Sequence, residues 1–170
     1  VFKEPTSGGG GTAVIERPTD SQARDALGRI DAALDLTDIR MKLADADEGP
    51  GYGVEDLEAM EAEYRRFLAL HLAFPDAVIV PCKIVDEIWH QHILDTAAYR
   101  KDCDAIFGRF LDHYPYFGMR NEAEAEELDD AYGATLALYR GAFGEPPAET
   151  WVSKDGASRC RKQCKPMKCR

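Results

Sequence analysis

Three of the four histidines, His90, His92 and His113, fall in one short stretch that also carries Asp86 and Asp95. Imidazole nitrogens and carboxylate oxygens at this density are a donor set for Zn, Fe or Cu. Their spacing decides which of them can act together. On a helix His90 and His92 project about 200° apart, so they belong to different faces. Asp86 and His90 share one row at i and i+4. His92, Asp95 and Tyr99 share another, with Cys103 one turn further on. A carboxylate one turn from an imidazole can join it on a metal, or hold its N–H and set its tautomer. An antiparallel return of the chain would bring His113 to the first row. Asp86, His90 and His113 are therefore the leading candidate ligand set, with His92 and Asp95 as the second pair. The competing reading makes these histidines hydrogen-bonded core residues beside Trp89. His71, Tyr99 and Cys103 read as packing.

A second constellation closes the chain. Cys160, Cys164 and Cys169, with Met167 among them, place four soft sulfur donors within ten residues. Such donors favour Cu(I), Zn or an iron–sulfur centre. There is no C-x-x-C pair, which removes zinc-ribbon and thioredoxin-type readings. The tail also admits two other readings: a basic end with incidental thiols, or a peptide substrate for the body's own metal site.

The elements that must position these residues read as helices. Ala23, Ala26, Leu27, Ile30 and Leu34 recur at helical spacing after Thr19 or Asp20, with a further stretch to Leu43. Gly49–Gly53 breaks the chain, and an acidic start opens a long helix from Val54 to Leu72. Ala77–Val80 is β-branched and should be extended or a short buried strand. The central helix is expected from Lys83 or Ile84 to about Arg100, with a further helical segment from Asp102 to Asp112. Tyr114–Gly118 is an aromatic loop. Asn121 should cap a last helix over residues 122–142, and the chain beyond it, through Trp151, should be irregular. The expected fold is all-α, an irregular bundle of four to six helices over residues 19–152. A flexible lead-in over 1–18, with Gly8–Gly11, precedes it, and a Cys-rich basic tail over 153–170 follows.

Composition narrows the partners. With 45% hydrophobic and 31% charged residues the chain can build a core and remain soluble. The net charge is −10, although the tail from Ser153 holds seven basic residues against Asp155 alone. An acidic body argues against nucleic acid as a partner, since phosphate contacts need a basic surface. No apolar run is long enough to span a bilayer. A cytoplasmic location is expected, with a protein or peptide as the partner class. Without G-x-S-x-G, and with no base that can be placed beside Cys103, nucleophilic hydrolysis has little support.

The ordered series Val85–Tyr99 with its Trp89-His90-Gln91-His92 core, Asp102-Cys103, Phe107–Phe110 and His113–Gly118 resembles the glycine-rich domain-containing protein-like family of the DUF1399 type. Glu63–Leu70 and Ile79–Pro81 extend the likeness to about residues 36–144. The resemblance implies that Asp86, Trp89, His90, His92, Asp95 and His113 form a site, and it brings no defined reaction. Three functions are therefore open: a small metal-binding protein or metalloenzyme, a helical interaction module with core histidines, or copper and redox handling by the tail.

Overall fold

A 20-residue helix with Leu57, Met60, Tyr64, Phe67 and Leu68 on one buried stripe forms the axis of the molecule. The structure is a computed structural model describing residues 18–151. Its helices are α1 (Pro18–Ala33), α2 (Thr37–Ala44), α3 (Val54–Ala73), α4 (Lys83–Leu94), α5 (Thr96–Phe107), α6 (Glu122–Phe143) and α7 (Ala148–Trp151). Helix α3 is that axis. It packs on α1 and α4, while α1 also meets α5 and α6, and α2 lies against α3 and α4. This is an all-α irregular bundle, as the apolar periodicity implies. Six helices have two turns or more, and α7 is a single turn. The lead-in and the tail readings, Cys160, Cys164 and Cys169 included, fall outside the described residues.

The central helix is shorter than expected. It ends at Leu94 rather than near Arg100, because Asp95 leaves helical geometry (φ −79°, ψ 74°). Its carboxylate accepts a hydrogen bond from the Ala98 amide at 3.2 Å and caps α5. Aspartate competes well for backbone amides in this way, and helical periodicity on both sides hides the break. The segment expected from Asp102 accordingly begins at Thr96. It stops at Gly108, whose φ of 65° is the left-handed helix end that glycine tolerates best.

Ala77–Val80 is a non-helical connection, and no strand occurs among the described residues. The Val80 amide donates to Thr135 Oγ1 at 3.0 Å, so a buried side chain replaces a ladder partner. Asn121 caps α6 by accepting from the Glu124 amide at 2.8 Å. Trp151, expected in irregular chain, lies in α7 and is fully buried. Its Nε1 donates to Glu63 Oε2 at 2.7 Å, and Tyr139 O–H donates to the same oxygen at 2.8 Å. Arg66 pairs with the other carboxylate oxygen. Glu63 thus ties α3 to α6 and α7, and its buried charge is compensated from three sides.

Candidate metal centre beside an apolar cleft

Asp86 lies in the first turn of α4 and His90 one turn later, on the side of the helix opposite His92. His113 arrives from the loop after α5. Two hydrogen bonds hold that loop against α4. Trp89 Nε1 donates to Tyr99 Oη at 2.9 Å, and Tyr99 O–H donates to the Leu111 carbonyl at 2.6 Å. The His113 ring then meets Trp89 edge-on, with centroids 4.5 Å apart.

The result is a three-atom cluster. His90 Nε2 and His113 Nε2 are 3.1 Å apart, His113 Nε2 and Asp86 Oδ1 are 3.1 Å apart, and His90 Nε2 and Asp86 Oδ1 are 3.5 Å apart. These three residues are the one group of His, Cys, Asp or Glu among the described residues whose donor atoms could share an ion. The side chains of Asp86 and His113 are 10% and 14% exposed, and that of His90 35%. Desolvation lowers the His90 pKa, opposed by the Asp86 charge and assisted by His113. A neutral imidazole keeps a lone pair for a metal. The geometry fits one. A tetrahedral ion with bonds of about 2.0–2.1 Å has ligand-to-ligand edges of about 3.3–3.4 Å, which lies within the observed spread.

The other expected pair does not come together. His92 is buried and uses both ring nitrogens: Nδ1 lies 2.8 Å from Tyr64 Oη and Nε2 lies 3.1 Å from Asp102 Oδ2. Desolvation lowers its pKa, with Asp102 opposing. The neutral tautomer that satisfies both neighbours donates from Nε2 to Asp102 and accepts at Nδ1 from Tyr64. Asp95 is committed to the α5 cap. Cys103 is buried and desolvation raises its thiol pKa, away from nucleophilic thiolate.

A cleft of about 680 Å³ opens beside the cluster, with Asp86 and His113 in its wall. Ile79, Val80, Trp89, Phe117 and Leu128 supply apolar surface, and His71, Asp112 and Arg120 polar groups. The Arg120 guanidinium lies 5.4 Å from the Tyr114 ring centroid. Sequence reasoning set His71 aside as packing and did not single out Arg120 or Leu128. Each is separated from α4 in the chain, and no local spacing links them to it.

A family model described as UCP032817-like matches residues 37–132. The chain belongs to the UCP032817-like family. This membership overturns the resemblance to the DUF1399 type. The Trp89–His92 core and the Tyr114–Gly118 loop that carried the likeness both lie inside the matched region. An amphipathic helix bearing a Trp-His pair, followed by an aromatic turn, is a packing solution that separate families can reach. No curated protein and no solved structure matches the chain. No described helix is long and apolar enough to cross a membrane.

Proposed function

We propose that this UCP032817-like protein is a metal-dependent protein whose Asp86, His90 and His113 bind one divalent transition ion, zinc or iron(II), and act on a small molecule held in the adjoining cleft. The mutual approach of the two Nε2 atoms and Asp86 Oδ1 within 3.1–3.5 Å carries this reading. Two imidazoles and one carboxylate, with coordination positions left over, are the donor set of catalytic zinc and of mononuclear iron(II) sites. An ion so held would supply Lewis acidity to an oxygen of the cleft ligand. The protein's own part is orientation. Trp89, Tyr99 and Leu111 hold His113 in place, and the apolar walls limit water around the ligand. The alternative of an interaction module with core histidines is favoured by His92, whose two nitrogens are satisfied inside the bundle. His90 and His113 favour the metal.

The test is elemental analysis of full-length protein dialysed against zinc, and anaerobically against iron(II), then desalted. Wild type should retain about one ion per chain. His113→Ala and His90→Ala, each checked for helical circular dichroism, should retain little at these residues. Equal retention by wild type and both variants would overturn the assignment.

A further inference from the structure

His71 Nε2 is the one buried side-chain nitrogen or oxygen among the described residues that has no hydrogen-bond partner. Folded proteins seldom leave such a group uncompensated, and those that persist call for an explanation. The ring is enclosed by aromatic surface. Phe67 meets it edge-on at 4.7 Å, and Trp89 lies at 6.1 Å between centroids. Neither offers it a hydrogen bond. The His71 ring also forms part of the cleft wall. Trp89 touches both His71 and His113, so a single indole separates the orphaned nitrogen from the Asp86–His90–His113 cluster.

The chemistry of the wall selects among ligands. Burial pushes the His71 pKa down to about 4, so the ring is neutral at pH 7 and its Nε2 either donates or accepts. A hydroxyl group can do both and suits either tautomer. A carboxylate here would have to lose water with no charge beside it, which is costly. A volume of about 680 Å³ lies in the ordinary range for small-molecule sites, and the surrounding Ile79, Trp89 and Leu128 match an apolar body.

From the orphaned ring nitrogen in the cleft wall, we propose that the cleft takes a small, mainly apolar hydroxyl compound of the phenol type, whose hydroxyl pairs with His71 Nε2 while its body lies against Trp89 and Leu128. This names the ligand class for the site proposed above and rests on that reading for calling the ligand a substrate. The His71 hydrogen bond itself does not require the ion.

Phenol and toluene, which differ by hydroxyl against methyl, are the probes. Each is titrated by NMR into full-length protein with and without zinc. Wild type should bind phenol about tenfold more tightly than toluene, in line with one hydrogen bond to an otherwise unsatisfied group. His71→Phe keeps the aromatic filling and should bring the two affinities together. Where that variant does not fold, cross-relaxation between phenol protons and the His71 ring in wild type reads the same contact. Equal affinities in wild type, a phenol preference that survives in His71→Phe, absence of the ring contact, or no binding of either probe would overturn the proposal. Retention of the preference in a protein that takes up no zinc would support the His71 pairing and refute the metal centre, so the two readings fail separately.

Discussion

His90 and His113 meet nitrogen to nitrogen, with Nε2 atoms 3.1 Å apart and Asp86 Oδ1 within 3.5 Å of both. Two neutral imidazoles can share at most one proton across that gap, so the arrangement leaves lone-pair capacity pointed at a common centre. An ion would use it. Zinc in excess of its dissociation constant by about a hundredfold should add ~2.7 kcal/mol to the stability of the folded state. For a chain of this size that is a rise of about 5–10 °C in Tm. His113→Ala should remove the rise, and differential scanning calorimetry with and without zinc measures it. A rise of the same size in His113→Ala would place the ion elsewhere.

Tyr99→Phe tests how His113 is placed. The substitution deletes the O–H that donates to the Leu111 carbonyl and the oxygen that accepts from Trp89. Both lost bonds are buried, so the cost should be about 1–3 kcal/mol. Because Tyr99 lies behind the cluster rather than in it, zinc affinity should also fall, by about tenfold, as it does when groups that orient a ligand are removed. Chemical denaturation and zinc competition titration measure the two effects. Unchanged zinc affinity would show that the loop holds His113 without this tether.

His92 should separate from the centre in function as it does in space. His92→Ala leaves Tyr64 Oη and Asp102 without their buried partner and opens a cavity beside Tyr64. A loss of about 3 kcal/mol in stability is expected, with about one zinc ion per chain still bound by the folded fraction. Loss of the ion in well-folded His92→Ala would move His92 into the ligand set.

Acid should weaken the fold through His71. Its folded-state pKa is lowered by desolvation to about 4, against an ordinary value of 6.5. Between these values the unfolded chain takes up a proton that the folded protein refuses. Stability from this residue is therefore complete above about pH 6.5 and declines as pH falls towards 4, by ~3 kcal/mol in total. Urea denaturation of wild type and His71→Phe at pH 7.5 and 4.5 isolates the term. The gap between the two proteins should shift by about 2–3 kcal/mol in favour of the variant at the lower pH. Parallel behaviour of the two proteins would mean that His71 is protonated in the folded state.

The helices and the Asp86–His90 row were legible because each is a local pattern. The stripe from Leu57 to Phe67 and the i, i+4 pair need only the period of an α-helix to be read. The Asn121 cap was legible for the same reason. The break at Asp95 was not, since one side chain diverts the backbone while the apolar spacing continues past it. Trp151 and Glu63 lie 88 residues apart, and their hydrogen bond depends on how α6 returns beside α3. His71 shows the limit most clearly. A histidine on the apolar face of a long helix reads as packing, and only the assembled cleft reveals a nitrogen with no partner.

The most direct test of the centre is the X-ray absorption spectrum of the zinc-loaded full-length protein at the zinc edge. The account predicts nitrogen and oxygen neighbours at about 2.0–2.1 Å, multiple scattering from two imidazoles, and no sulfur shell. A sulfur shell at about 2.3 Å would assign the metal to cysteine and contradict the Asp86–His90–His113 centre.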